Sequence, residues 1–155
     1  METIRRNVFE TNSSSVHTLT VRRLEPNNIP VSKTGKMRIK LGYFGKDVAT
    51  EFDQLTKMSY VLTVTMVKLG LYDDGREGFK EHIETLQDNY IYDRIFDEVK
   101  EYVPDVKEII PVYTPGYGLD HQMFNSIDYD IYDFIHMTVV DFVWGEGIGL
   151  HTTCD

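Results

Sequence analysis

The residues with the clearest chemical potential lie in one short segment near the N-terminus, NVFETNSSSVHTL at 7–19. Four hydrogen-bonding residues there precede His17: Asn12, Ser13, Ser14 and Ser15. Serine hydroxyls both donate and accept hydrogen bonds, and a tight turn can point several backbone N–H groups at one anion. The segment therefore predicts a site for a small anionic or nucleotide-like ligand. Within it, Ser14, Ser15 and His17 are the candidate catalytic residues.

Arginines lie on both sides of this segment. Arg5 and Arg6 precede it, and Arg22 and Arg23 follow it. We assign Arg5 and Arg6 to the same ligand site, because a local excess of positive charge attracts an anion. The chain has no Gly-rich Walker-type loop, which excludes nucleoside triphosphate binding by that route. The sequence indicates no particular cofactor.

Two interpretations of the serine run stay open. In an extended chain, Ser15 and His17 lie roughly 7 Å apart along the strand, so direct proton transfer between them requires a turn. Runs of serine and asparagine also form turns in which their side chains cap their own backbone. The segment is therefore either a functional site or a purely structural turn.

The same segment carries a resemblance to a group of proteins. Residues 9–17, FETNSSSVH, match the pattern F-E-T-N-S-S-S-x-H. This chain therefore resembles a group of small uncharacterised proteins of Gram-positive bacteria and their phages that open with this motif. The resemblance covers the N-terminal motif only. It implies a shared local site and a phage or mobile-element setting, and it names no reaction.

Charge is distributed unevenly along the 155 residues, whose formal net charge is -9. Residues 1–46 hold nine Lys or Arg against three acidic residues, whereas the rest holds seven against 22. An acidic chain argues against direct nucleic-acid binding, which needs a basic surface. A basic N-terminal part still permits local binding of a small anion. The two parts also attract each other, which is the simplest interpretation of the asymmetry.

The remaining bulk features concern compartment and membrane. A single cysteine, Cys154, excludes an internal disulfide and is typical of a reducing compartment. The first residues contain no apolar signal-peptide region, and the longest apolar-rich run is too short to span a bilayer. We therefore expect a cytoplasmic protein without a membrane partner.

Two residue pairs in the C-terminal half carry side chains that can bind a metal. His151 and Cys154 form an H-x-x-C pair, and Asp133 and His136 are spaced i, i+3. Together they would supply nitrogen, sulfur and oxygen ligands suited to zinc. Nothing in the sequence brings the two pairs together, and His136 between apolar residues fits a core or edge histidine. We therefore expect no metal site.

The segment 125–142, NSIDYDIYDFIHMTVVDF, is rich in acidic and aromatic residues. On a helix, Tyr129, Asp130, Asp133 and Asp141 would lie largely outside the apolar stripe. Such a surface suits docking on a basic protein partner, because tyrosine contributes contact area with a polar group. This is the alternative function to ligand binding, and a solvated charged face is the simpler interpretation.

The hydrophobic patterns predict an α+β fold in a single domain of 1–155. The basic part, 1–46, is β-rich, with alternating strands near 3–9, 15–21 and 36–44. We expect these antiparallel strands to form a small mixed sheet with about three helices packed on it. The acidic part, 47–155, is mainly helical with one or two further strands.

The helices are predicted from period and capping. Apolar residues at helical spacing form one stripe from 52 to 69, although the β-branched run VLTVTMV also suits a strand. Asp74 with Glu77 predicts a capping box for a helix that runs to Tyr102, unbroken or interrupted near Asn89. Pro111 lies in a short strand, a third helix begins near Asn125, and IGLHTT forms a last strand.

Overall fold

The computed structural model describes residues 3–10, 17–45, 49–120 and 138–152, the first two strands by their backbone pairing. Four helices and eight strands lie within these ranges, which confirms the predicted α+β class. The strands are β1 (Thr3–Glu10), β2 (His17–Leu24), β3 (Lys36–Lys40), β4 (Tyr43–Phe44), β5 (Ala49–Glu51), β6 (Glu108–Val112), β7 (Gly118–Leu119) and β8 (Leu150–Thr152). The helices are α1 (Gln54–Lys68), α2 (Arg76–Gln87), α3 (Tyr90–Tyr102) and α4 (Val139–Trp144).

The first two strands form an antiparallel hairpin in which eight consecutive residue pairs face each other, from Thr3 with Leu24 to Glu10 with His17. The base of this hairpin is fixed to the body of the protein. Leu24 is buried, and the Glu25 N–H donates to the Trp144 carbonyl at 2.7 Å. An isolated bridge also pairs Leu24 with Gly145.

The other described strands also pair two by two, rather than in the one mixed sheet that we expected. β3 pairs with β6 and β4 with β7, both in parallel, and β5 pairs antiparallel with β8. Backbone hydrogen bonds at Leu41 and Gly42 continue the first parallel pair into the second. The pattern of β3 shows an alternating strand but not its partner, and the partner lies some seventy residues later, at Glu108–Val112.

Helix α1 lies at the centre of the fold. Asp53 caps its N-terminus by accepting from the Thr56 N–H at 2.9 Å, and every residue from Lys57 to Val67 is buried. The helix is therefore buried on all its faces rather than along the single stripe predicted from sequence. Of that stripe, Phe52 and Leu55 are 59% and 43% exposed, because they precede the buried turns.

Two shorter helices, α2 and α3, follow. The break between them lies at Asn89, which confirms the second of the two sequence interpretations, a helix interrupted near that residue. The Asn89 side chain accepts from the Ile91 N–H at 2.9 Å and caps α3. The predicted capping box at Asp74 is wrong. Gly75, with φ of 105°, is the N-cap of α2 and makes no side-chain cap, so the helix begins one residue later.

The last described helix, α4, is short and buried. Trp144 is fully buried at its end, tilted against Tyr102 of α3 with ring centroids 5.2 Å apart. The Trp144 indole N–H donates to Asn27, and the Tyr102 hydroxyl donates to the Glu25 carbonyl. The predicted third helix from Asn125 lies outside the described residues except for this last part.

Along the parts of the chain that the structure describes, no helix combines the length and apolar character needed to cross a membrane.

A buried lysine, Lys57 of α1, gives the core a measurable pH dependence. Its ammonium group donates to the Ile148 carbonyl at 2.8 Å, and the residue is only 2% exposed. Burial is the largest influence and lowers the pKa of Lys57 below its ordinary value of 10.5, against the raising effect of the Glu25 and Asp53 charges.

We predict that Lys57→Met removes a rise of stability with pH. In wild type, the unfolded chain binds the Lys57 proton more tightly than the folded chain does. The free energy of unfolding therefore gains a contribution as pH rises through the lowered pKa towards 10.5. Urea unfolding between pH 8 and 10.5 measures this, with the exposed Lys80→Met as the matched control. The prediction fails if both variants retain the wild-type pH slope.

Candidate functional site

The predicted ligand site falls at the far end of the β1–β2 hairpin. Glu10 and His17 form the last described pair, so residues 11–16 join two positions that face each other across the strands. The serine-run candidates all belong to that joining segment and lie outside the described residues: Asn12, Ser13, Ser14 and Ser15. Because β1 and β2 are antiparallel, the chain reverses direction between Glu10 and His17. The sequence alone did not establish this reversal.

The two arginines assigned to this site occupy the other half of the hairpin. Arg5 pairs with Arg22, and Arg6 pairs with Val21. A strand rises about 3.4 Å per residue, so Arg6 lies roughly 14 Å from Glu10 along the strand and Arg5 lies farther still. The backbone therefore does not place the arginine positions beside the serine-containing segment.

Of the four residues considered as metal ligands, the structure describes only His151. Asp133, His136 and Cys154 lie outside the described residues, as do Tyr129 and Asp130 of the predicted docking surface. His151 is described: it is exposed on β8, and its Nδ1 lies 2.9 Å from the Thr50 hydroxyl on β5. Within the described ranges, no group of three or more His, Cys, Asp or Glu is placed to hold a metal ion.

The structure shows a polar cluster that the sequence interpretation did not identify. Asp73, in the loop between α1 and α2, accepts from the Gly75 N–H at 3.0 Å and from the Gly116 N–H at 2.6 Å. It also accepts from the Tyr113 hydroxyl at 2.9 Å. The two backbone hydrogen bonds, that of Gly116 first, lower the pKa of Asp73 below its ordinary 3.8.

Tyr117 makes a second connection between the same two loops. Its hydroxyl donates to the Leu71 carbonyl at 2.7 Å and lies 3.5 Å from Nδ1 of His82. The ring packs edge-on against Phe79 of α2 with centroids 5.7 Å apart. Burial is the largest influence on this hydroxyl and raises the pKa of Tyr117 to about 12. The hydroxyl is therefore a neutral donor at physiological pH.

His82 and Arg76 complete the surface of this cluster. Nε2 of His82 lies 3.5 Å from the Asp74 carboxylate, and the Arg76 guanidinium lies 4.9 Å from the ring centroid of Tyr113. The Asp73 carboxylate is occupied by three donors of the protein itself. The cluster therefore fixes the loop of Asp73 to the loop of Gly116, which is a structural role rather than a ligand site.

The local pattern of these loops, YDDG at 72–75 and YTPGYG at 113–118, predicts turns. It does not predict that the two turns meet, because they are some forty residues apart. The sequence signal for this cluster is therefore limited to the two turns.

A described acidic surface lies on α2 and α3, upstream of the one predicted from sequence. Apart from half-buried Glu98, the acidic residues along α2 and its C-cap, and along α3, recur at near-helical spacing and are exposed: Glu77, Glu81, Glu84, Asp88, Asp93, Asp97 and Glu101. We call these seven residues the acidic face. Tyr90, at the start of α3, is 62% exposed. Like charges at i, i+4 destabilise a helix slightly, so this spacing is not a requirement of the helices themselves.

Comparison of the chain with models of protein families, with curated proteins and with solved structures found no match.

We predict that Asp73→Asn lowers the free energy of unfolding by about 1 kcal/mol at pH 7, because an amide replaces a carboxylate that accepts three hydrogen bonds at a position screened by solvent. The carboxylate contributes stability above its unfolded pKa of about 3.8, and that contribution is lost as pH falls through the lowered folded pKa. Wild type and variant should therefore converge in strong acid. Denaturant unfolding measures both effects.

The control for this prediction is Asp97→Asn on the exposed side of α3. It should leave the free energy of unfolding within about 0.5 kcal/mol of wild type. Tyr113→Phe removes one of the three donors to Asp73 and should give a smaller loss than Asp73→Asn. An Asp73→Asn protein as stable as wild type would contradict the structural role of the cluster.

Proposed function

We propose that this protein binds a small anionic or nucleotide-like ligand at the end of its β1–β2 hairpin, through Asn12, Ser13, Ser14, Ser15 and His17. The observation that supports the proposal is the register, in which Glu10 faces His17 and the serine run joins them. A short connection between facing residues keeps the serines and His17 near each other by chain connectivity alone. Hydroxyls, amides and an imidazole are the groups that bind phosphate and carboxylate.

Charge supports an anion site on this hairpin. The basic part of the chain, residues 1–46, contains this hairpin, whereas the remainder is strongly acidic. Strand alternation leads us to expect Arg6 on the face shared by Glu10 and His17, and Arg5 on the other face. A ligand that contacts both Arg6 and the serine run would be elongated, since roughly 14 Å separates Arg6 from Glu10 along the strand.

The arginine pair gives a further reason to expect an anion along the hairpin. Arg5 and Arg22 occupy facing positions in the register. Like charges at facing positions of two antiparallel strands destabilise the pairing. The pair lies on the face opposite to Glu10 and His17, so it favours an anion on the hairpin in general and does not select the ligand of the serine-containing segment. Ser14, Ser15 and His17 are also the residues that we propose for catalysis, if the bound ligand is turned over.

We predict that inorganic phosphate, pyrophosphate, a nucleoside monophosphate or a phosphosugar raises the melting temperature of wild type and not that of Ser14→Ala/His17→Ala. A ligand that binds only the folded state contributes about 2.7 kcal/mol at a hundredfold excess over its Kd. For a chain of this length, that stabilisation corresponds to a rise of about 5–10 °C. A thermal-shift screen measures it.

The matched control is Ser32→Ala/His151→Ala, which removes one serine and one histidine from exposed positions elsewhere. This control should retain the full ligand-induced rise. Equal rises in wild type and in Ser14→Ala/His17→Ala would contradict the proposed location. No rise with any of the four compounds would contradict the proposed ligand class.

We propose docking on a basic protein partner as a second candidate function, because the acidic face offers a described surface for it. The seven acidic residues share α2 and α3 with only four cations, Arg76, Lys80, Arg94 and Lys100. Exposed Tyr90 lies between the two acidic series and adds contact area with a hydroxyl group. Tyr129, Asp130 and Asp133, the docking surface predicted from the sequence, lie outside the described residues.

We predict that Glu81→Lys/Asp97→Lys weakens binding of a defined-length polylysine peptide by about tenfold, since each exposed charge contributes up to about 1 kcal/mol. The affinity of wild type should fall as salt rises. Isothermal titration at two salt concentrations measures both. The control, Glu51→Lys/Asp105→Lys, reverses two exposed acids away from α2 and α3. Equal losses in the two double variants would show attraction by net charge and contradict docking on the acidic face.

A further inference from the structure

The outer face of the β3–β6 strand pair carries a row of positive charge. Met37 and Ile39 of β3 are buried on the inner face. Because the side chains of a strand alternate, the three cations of β3 share the outer face: Lys36, Arg38 and Lys40. We call these three residues the basic row, in which neighbours lie roughly 6.6 Å apart along the strand. Arg38 and Lys40 are exposed, and neither forms an ion pair within the described ranges.

The partner strand offsets little of this charge. Facing residues of neighbouring strands share one face of the sheet. The register gives each cation of the basic row one neighbour on β6: Glu108 beside Lys36, Ile110 beside Arg38, and Val112 beside Lys40. Only the first of these neighbours is acidic, and the other two are half-buried apolar residues. The positive charge of Arg38 and Lys40 is therefore available to a partner.

Negative charge adjoins the other side of β6. Gln87, the last residue of α2, donates from Nε2 to the Glu108 carboxylate at 3.1 Å, so the end of α2 lies beside this strand. Glu84 and Asp88 of the acidic face lie one helical turn apart there, and both are exposed. The surface therefore changes from positive at β3, through half-buried apolar side chains on β6, to negative at the end of α2.

The two edges of this sheet offer few backbone groups to an added strand. At β3, the Ser32 N–H donates to the Lys36 carbonyl at 2.9 Å, and the Ser32 hydroxyl accepts from the Lys36 N–H at 3.0 Å. At β6, the Tyr92 hydroxyl lies 3.2 Å from both the nitrogen and the carbonyl oxygen of Ile109, and Pro111 has no N–H. We therefore expect a partner on the outer face, through side chains, rather than at an edge.

We propose that a second copy of this chain docks on this face, in a two-fold dimer in which the basic row of each copy meets Glu84 and Asp88 of the other. A two-fold axis in the plane of contact, directed along β6, exchanges the positive and negative sides of the surface. Ile110 then lies near the axis and meets its counterpart. The inference rests on the second candidate function for the docking role of the acidic face, and it names the partner.

The net charge of the chain does not prevent this contact. The formal net charge of -9 repels a second copy at long range. At physiological salt, charges farther apart than about 8 Å are largely screened, so the facing charges of the two surfaces dominate once the copies meet. Charge complementarity of this kind specifies the partner and its orientation. The dimer should therefore weaken as salt rises further.

Sedimentation velocity on the full-length protein tests the proposal. We expect a dimer in about 0.1 M NaCl and dissociation in about 1 M NaCl. Arg38→Glu/Lys40→Glu should weaken the dimer about a hundredfold, because each substitution acts twice in a two-fold contact. The matched control, Lys80→Glu/Arg94→Glu, makes the same change in net charge at exposed positions of α2 and α3 and should retain the dimer.

A charge swap tests the orientation of the two copies. Glu84→Lys/Asp88→Lys alone should also be monomeric, because its new lysines face the basic row of the other copy. An equimolar mixture of this variant with Arg38→Glu/Lys40→Glu should form a heterodimer, since every contact between the charged surfaces is then between opposite charges. Circular dichroism checks that both variants fold. If one does not, the salt dependence of wild type and the other variant decide.

Several outcomes would overturn the proposal. These are a wild type that stays monomeric at both salt concentrations, assemblies larger than a dimer, a dimer that Arg38→Glu/Lys40→Glu leaves intact, and two folded variants that do not associate when mixed. The polylysine titration separates this inference from the second candidate function. A monomeric wild type that binds polylysine through the acidic face excludes the second copy as partner and leaves that candidate function supported.

Discussion

The rest of the structure depends on the burial of α1 on all its faces. A buried polar side chain must find a hydrogen-bond partner, because an unmade hydrogen bond is costly in the interior. Thr65 donates to the Val61 carbonyl within α1, whereas other polar residues of the helix bind the backbone of distant segments. Ser59 donates to the Lys40 carbonyl at 2.6 Å, and Thr63 accepts from the Gly42 N–H at 3.2 Å. The parallel strand pairs are thereby fixed against the helix.

The same requirement positions the hairpin. Gln54 accepts from the Asn28 N–H at 2.7 Å and donates to the Pro26 carbonyl at 2.9 Å, so α1 fixes the chain directly after β2. Leu24, at the end of β2, is buried, while His17 lies at the opposite end of the same strand. The core thus determines where the hairpin begins, and the strand register determines which residues meet at its end.

The features that could be predicted from the sequence are those that depend on interactions between residues close together in the chain. Local signals were sufficient for the α+β class, for the break at Asn89 and for most strand positions, because period and capping act within a few residues. Local signals were insufficient to predict that β3 pairs with β6, which lies far along the chain. They were also insufficient to predict that α1 is buried on all its faces, because its polar residues are satisfied by hydrogen bonds to distant segments. At the candidate site, the residue types were readable, whereas the pairing of Glu10 with His17 required the register.

The proposed anion site belongs to an acidic protein, and the length of the hairpin bears on how the two charges would coexist. Seven residue steps separate buried Leu24 from His17, which is roughly 24 Å along the strand. The Debye length at physiological salt is about 8 Å, so acidic charges near the base of the hairpin are largely screened at its end. The electrostatics there depend on the nearest charges, of which Glu10 is the first. The register therefore makes Glu10 and His17, rather than the acidic remainder of the chain, the ionisable positions nearest to the proposed anion site.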